Sequence, residues 1–185
     1  SPFEKMEHKK ITFLMASRLF KEKGVIEYIE AAKLIKLKYP QTRFLLLGDI
    51  YQSKGNPITA EYLNQNTNMG NIEYLGMTDD VYSYMKQSDC VVLPTFYREG
   101  CPKVLIEAAS CGLPIIATNN VGCTDIVIDG FNGFLCEVQS VNNLAEKMEK
   151  FILLDWEEKL KLGENGRQKV MDEFDEKTII KKYIV

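Results

Sequence analysis

The chain is expected to fold as a Rossmann-like, doubly wound α/β sheet, a layer of parallel strands with helices on both faces. Three observations predict it. Short apolar runs alternate with amphipathic stretches through the first two thirds of the 185 residues. Each run closes on Gly, Pro, Asp, Ser or Thr, as strands buried on both faces do. The strand-helix alternation then recurs along the chain, and right-handed crossovers turn such a pattern into a parallel sheet covered by helices.

The elements follow in order. "KITFLMAS" reads as the first strand, and "GVIEYIEAAKLIKLKYP" as a helix whose apolar face carries Ile26, Ile29, Ala32, Leu34 and Ile35 at helical spacing. "RFLLLGD", "NIEYLG", "DCVVLP" and "PIIAT" are the next four strands, separated by the helical stretches "ITAEYLNQN", "DDVYSYMKQS" and "KVLIEAASCG". Gly112 stops the last of these, with Pro114 just beyond. "DGFNGFLC" is turn-rich with one more short strand, and "SVNNLAEKMEKFILL" and "DWEEKLKLGENGRQKVMDEF" read as charged helices forming a packing layer.

Residues 1–185 are long enough for one domain with a sizeable core. The formal net charge of -3 argues against a general nucleic-acid binder, which draws most of its affinity from phosphate neutralisation. Any anionic ligand must be held by a local cluster of donors. The five cysteines include no C-x-x-C pair, and His8 is the only histidine, so neither a zinc site nor a disulfide framework is expected. That usage points to a reducing compartment. No signal-peptide pattern and no bilayer-length apolar run stands in the sequence, so a cytoplasmic protein is expected.

Folds of this class bind ligands beyond the carboxyl ends of their strands, so the connections there carry the chemistry. Arg18 and Lys23 follow the first strand, where a diphosphate would use Arg as a fork and Lys as a mobile charge. On spacing alone an ordinary solvated loop is the favoured reading of the pair. In "FYREGCPKVLIEAASCG", Pro102 suits the first turn of a helix and Gly100 permits close backbone approach. The amides of Cys101, Lys103, Val104 and Leu105, with the helix dipole, then offer an anion site. Glu99 precedes this helix and Glu107 lies on it, about 7 to 8 Å along the axis from Pro102. Carboxylates beside a phosphate are repelled, so the pair suits hydroxyls at either end of a diphosphate, a ribose and a hexose. Spacing alone leaves Glu107 equally able to be a buried partner of a basic side chain, and Glu99 a cap. Cys101 at a helix N-terminus is in a setting that lowers a thiol pKa, although no histidine follows His8 to serve as its base.

The E-x7-E formed by Glu99 and Glu107, within "YREGCPKVLIEAASCGLPIIATNNVGCTDIVIDGFNGFLC", resembles the signature of the retaining glycosyltransferases of family 4, group 1, with the GT-B fold. "SRLFKEKGVIEYIEAAKLI", "FLLLGD" and "IEYLGMTDDVYSYMKQSDCVVLPTFYREG" stand upstream in the family's order, so the resemblance runs from about Ile11 to Tyr183. It implies that Arg18 and Lys23 hold a donor diphosphate and that Glu107 takes the ribose hydroxyls. By the same resemblance Glu99, with the amides from Gly100 to Lys103, grips the transferred sugar, and the amides of Val104 and Leu105 meet the phosphates. Gly48 and Met77, each just past a strand, become walls of the base pocket.

The "YREG-x-P-[KR]" variant resembles enzymes of bacterial capsule, O-antigen and lipid-linked oligosaccharide synthesis. The chain opens at the strand that begins the second GT-B domain, so it is expected to be the donor half, inactive by itself, with the acceptor domain outside it. The resemblance further implies a nucleoside-diphosphate hexose as donor, UDP foremost, a glycan or lipid-linked acceptor, and no metal or other cofactor. The full enzyme is expected in the cytoplasm or at the inner face of the membrane. Rival readings are a non-catalytic nucleotide-sugar-binding module and half of a GT-B sugar-nucleotide epimerase. A dinucleotide oxidoreductase is disfavoured, because "ASRLFKEKG" stands where G-x-G-x-x-G would follow the first strand.

Overall fold

The computed structural model describes residues 10–98 and 100–174. Six strands form one parallel sheet: β1 (Thr12–Ala16), β2 (Arg43–Leu47), β3 (Glu73–Tyr74), β4 (Cys90–Leu93), β5 (Ile115–Thr118) and β6 (Gly133–Cys136). The spatial order is β3-β2-β1-β4-β5-β6. The order reverses between β1 and β4, where Phe13 pairs with Cys90 on one side and Phe44 on the other. A crevice opens at such a reversal because the two flanking connections leave on opposite faces.

The strands are buried from end to end apart from a few partly exposed residues in β2, β3 and β6, which explains their unbroken Val, Ile, Leu and Phe content. The helices that cover the sheet are α1 (Val25–Lys38), α2 (Ala60–Asn68), α3 (Val81–Met85), α4 (Lys103–Ser110), α5 (Cys123–Ile126), α6 (Val141–Leu153) and α7 (Trp156–Glu173). All the strands and long helices expected from the sequence are present. The short α5 and a 3-10 turn at Lys21–Lys23 were not foreseen.

The buried face of α1 differs from the expected one. Val25, Tyr28, Ile29, Ala31, Ala32 and Ile35 line it, whereas Leu34 is exposed and Ile26 only partly covered. Tyr28 decides the rotation. Its hydroxyl is fully buried and reaches the carbonyls of Phe13 (3.1 Å) and Leu45 (3.0 Å), satisfying a polar group that would be costly to bury unpaired.

The end of α4 falls where the sequence puts it. Gly112 takes φ +70°, its amide donates to Ala109 (2.9 Å) and that of Leu113 to Ala108 (3.0 Å). These two bonds make a Schellman cap, which a left-handed glycine permits at no steric cost. Pro102, by contrast, is the N-cap of α4 in an extended conformation, and the helix begins one residue later, at Lys103.

Candidate functional site

β1 runs out at Ala16 and delivers Ser17 and Arg18 to the sheet's carboxyl edge. β1-type pairing continues beyond the strand as a bridge between Leu19 and Ile50, with the Leu19 amide donating to Asp49 (2.8 Å). The chain then turns through Lys21–Lys23, so Lys23 is buried with its Nζ 5.7 Å from the centre of the Phe20 ring and 5.2 Å from that of Tyr97. The Arg18 guanidinium lies 5.6 Å from the same Phe20 ring and 5.3 Å from Tyr51. These are cation–π distances, and they fix two long side chains that would otherwise sample many rotamers.

The loop after β4 is clamped to that turn. The Glu22 carbonyl accepts from the amides of Phe96 (2.9 Å) and Tyr97 (3.0 Å) and from the Thr95 hydroxyl (3.1 Å). Thr118, at the end of β5, donates its hydroxyl to the Thr95 carbonyl, tying the next strand in as well. The segment that leads to Gly100 and α4 is therefore held beside Lys23. Glu99 lies outside the described residues.

A cleft of about 380 Å³ opens over these strand ends. Ser17, Arg18, Gly48, Asp49, Met77, Thr78, Lys103, Val104 and Glu107 are among the residues that line it, drawn from the ends of β1, β2 and β3 and the first turns of α4. Arg18, Gly48, Met77, Lys103, Val104 and Glu107, all singled out from the sequence, thus share one cleft at the point where the strand order reverses.

Gly48 is indispensable to its shape. At φ +143° a Cβ there would stand 1.7 Å from the Ser17 carbonyl oxygen, so the β1 and β2 ends approach as closely as they do only with glycine. Its amide donates to Gly76 (2.9 Å) and its carbonyl accepts from the Tyr74 hydroxyl (3.1 Å), which joins the end of β3 to the same wall. Met77 stands on that wall with 72% of its surface exposed, presenting an apolar face to the cleft mouth.

Glu107 is half-exposed and pairs with Lys103 one turn earlier at 3.6 Å, a loose surface contact worth little stability. The alternative of a buried structural carboxylate does not describe it. The first-turn amides of α4 lack carbonyls four residues back. The Leu105 amide is taken by the Pro102 carbonyl (3.0 Å) and its side chain is fully buried, so Lys103 and Val104 are the cleft-lining residues of that turn. Gly100 is exposed with open space above it, and Cys101 is exposed with its Sγ 3.8 Å from Asp125 Oδ2. The Cys101 thiol is pushed above its ordinary value, first by partial burial and then by the Asp125 carboxylate. That is the reverse of a helix-activated thiolate, and Asp125 has no local signature because it arrives from a different connection. Phe20 and Tyr51, which seat Arg18, also went unread.

Among the described residues no three His, Cys, Asp or Glu side chains gather as metal ligands would, and no helix is long and apolar enough to cross a membrane.

The parallel sheet, its order and the cleft at the reversal place the chain among Rossmann-like α/β proteins with the architecture of GT-B glycosyltransferases. Residues 2–169 match the glycosyl transferases group 1 family, and the chain belongs to it. It is 32% identical over 178 residues to the N,N'-diacetylbacillosaminyl-diphospho-undecaprenol alpha-1,3-N-acetylgalactosaminyltransferase of Campylobacter jejuni, covering 95% of this chain and 44% of that protein. It is 33% identical over 166 residues to the capsular polysaccharide biosynthesis glycosyltransferase CapM of Staphylococcus aureus, covering 88% of this chain and 42% of that protein. The structure superposes on Anabaena Alr3699/HepE, crystallised with UDP and glucose, with a TM-score of 0.80 at 26% identity, over 95% of this chain and 47% of that one. The chain thus spans less than half the length of these relatives.

Proposed function

We propose that this chain is the donor-binding part of a retaining family 4 glycosyltransferase. It holds a nucleoside-diphosphate hexose, UDP-linked, for transfer to a polysaccharide or lipid-linked acceptor at the cytoplasmic face of a membrane. The observation that carries this reading is the convergence of Arg18, the first turn of α4 and Glu107 on one cleft at the switch point of the sheet. The UDP held by the Anabaena relative and the diphospho-undecaprenol acceptor in the name of the Campylobacter relative support the choice of donor and acceptor.

In this reading the ribose hydroxyls donate to Glu107, the base lies against Gly48 and Met77, and Arg18 and Lys23 take the diphosphate. Glu99, with the amides of Gly100, Cys101 and Lys103, takes the transferred hexose. The bond from the sugar's anomeric carbon to the β-phosphate oxygen breaks while an acceptor hydroxyl attacks from the same face. Its proton passes to the departing phosphate oxygen, so the leaving group is its own base. The chain's contribution is electrostatic: cations seated on Phe20, together with helix amides, stabilise the charge that grows on the diphosphate without reorganising. No metal is required in this scheme, and the chain by itself does not turn over.

Calorimetric titration with UDP, GDP and ADP, each with and without EDTA, tests the reading. Binding of UDP in preference to the others and unaffected by EDTA is the expected result. Binding of none of them, or binding that EDTA abolishes, would sink it.

A further inference from the structure

A second cleft, of about 360 Å³, shares Arg18 with the first and is lined by residues from three connections, among them Phe20, Lys21, Tyr51, Lys54, Asn56 and Tyr97. It falls within the size range of small-molecule sites. Its floor is aromatic: the Phe20 ring centre is 5.4 Å from that of Tyr51 and 5.6 Å, edge-on, from that of Tyr97, and both tyrosines are exposed. Its rim is cationic: among the described residues that line it, Arg18, Lys21 and Lys54 stand against one carboxylate, that of Glu22.

This cleft is built rather than incidental. The long β2–α2 connection is pinned by Asn56, whose side-chain amide donates to the carbonyls of Leu19 (3.0 Å) and Tyr51 (3.0 Å) while its oxygen accepts from the Ile58 amide (3.2 Å). The Tyr51 amide donates in turn to the Leu19 carbonyl (3.1 Å). Tyr51 is thereby set beside Phe20 before any ligand arrives, which lowers the ordering cost of binding.

The geometry points to an acceptor subsite here, taking a sugar ring that bears phosphate. The inference rests on the donor reading above. Arg18 lines both clefts, so a ligand in the second lies beside the group that holds the donor diphosphate. An acceptor hydroxyl must reach the carbon bonded to that diphosphate, and this is the adjoining space. Exposed tyrosine rings offer flat apolar faces to the C–H face of a sugar, with hydroxyls at their rims for its polar edge. Lys21 and Lys54 supply the charge that a phosphate attached to that sugar would meet.

The test uses the UDP-saturated chain, titrated with N-acetylglucosamine 1-phosphate and with N-acetylglucosamine while the backbone amide resonances are followed by NMR. The amides of Tyr51, Ser53 and Gly55 are expected to shift, with the phosphorylated sugar binding about tenfold tighter, as a charge-assisted contact would give. Lys54→Ala should erase that difference, and Tyr51→Ala should weaken both sugars by about fivefold, the scale of one aromatic contact. The inference is overturned if neither sugar moves those amides, if the shifts survive both substitutions, or if UDP displaces the sugars. It is equally overturned if UDP-N-acetylglucosamine moves the Tyr51 and Gly55 amides beyond what UDP does, since the pocket would then hold the donor's sugar. UDP affinity measured on the same samples reports the donor reading separately, and a titration without UDP still decides the pocket if that reading fails.

Discussion

Arg18 and Lys23 share one aromatic seat: the guanidinium carbon of the first lies 5.6 Å, and the ammonium of the second 5.7 Å, from the centre of the Phe20 ring. Two cations would repel if they were free to approach. The Phe20 ring attracts both, which offsets part of that repulsion, so the positive field at the end of β1 exists before an anion arrives. Replacing Arg18 with Ala is expected to weaken UDP by about 1.5 to 3 kcal/mol, the range for hydrogen bonds to charged groups, and to leave uridine nearly unaffected. Phe20→Leu should show the same selectivity at smaller size. Calorimetry with the two ligands checks both, and equal losses for UDP and uridine would remove Arg18 from the diphosphate.

The closeness of the β1 and β2 ends predicts that Gly48→Ala destabilises the fold as well as the cleft. The added methyl would lie 1.7 Å from the Ser17 carbonyl oxygen, and φ +143° is itself strained for any other residue. A cost of about 1 to 3 kcal/mol is expected. Thermal unfolding measures it, and a melting temperature equal to that of the parent would show that the strand ends separate easily.

Stability should fall in acid partly through Glu73. Its carboxyl is held below the ordinary value, chiefly by hydrogen bonds from the Arg43 guanidinium at 2.7 and 2.6 Å across the β2–β3 edge. A carboxyl with a depressed folded-state pKa contributes stability above its unfolded value, and the contribution is lost as pH falls through the folded value. Glu73→Gln should therefore lower the melting temperature at pH 7 and make no difference once the pH is below the folded pKa. The pair is partly exposed, so the effect at pH 7 is expected to stay under about 1 kcal/mol. Melting curves of both proteins across that range should converge at the acid end.

Cys101 is expected to be a sluggish thiol despite its exposure. Partial burial and the neighbouring Asp125 both raise its pKa, so less thiolate is present at neutral pH than in a free cysteine. Alkylation by iodoacetamide, located by mass spectrometry, should proceed more slowly at Cys101 than in glutathione at pH 7.5, and Asp125→Asn should quicken it.

Much of this was legible in the sequence, for identifiable reasons. Strands buried on both faces need unbroken apolar runs, so β1, β2, β4 and β5 announced themselves, the short β3 and β6 were marked by the turn residues around them, and Gly112 marked the end of α4 because a left-handed cap selects glycine. Six of the residues chosen for the site meet in one cleft because Arg18, Gly48 and Met77 stand on the connections just past strands and Lys103, Val104 and Glu107 lie in the first two turns of the helix after β4, and topology carries such positions together. What periodicity could not show was set by contacts distant in the chain. The rotation of α1 follows from Tyr28 reaching two strand carbonyls, which leaves Leu34 exposed. Lys23 is buried because the β4–α4 loop closes over the turn that carries it, and Cys101 is tuned by a carboxylate 24 residues away. The Phe20, Tyr51 and Tyr97 cluster draws one ring from each of three connections and has no local signature.

The central claim, that the Glu107 carboxylate receives the ribose of a UDP-linked donor, is tested most directly by a cycle of two ligands and two proteins. UDP and 2′,3′-dideoxy-UDP are titrated into the parent chain and into Glu107→Ala. The account predicts that the parent prefers UDP by about 1.5 to 3 kcal/mol, the scale of hydrogen bonds to a charged acceptor, and that the substituted protein binds the two nucleotides alike. A preference for UDP that survives in Glu107→Ala would contradict it.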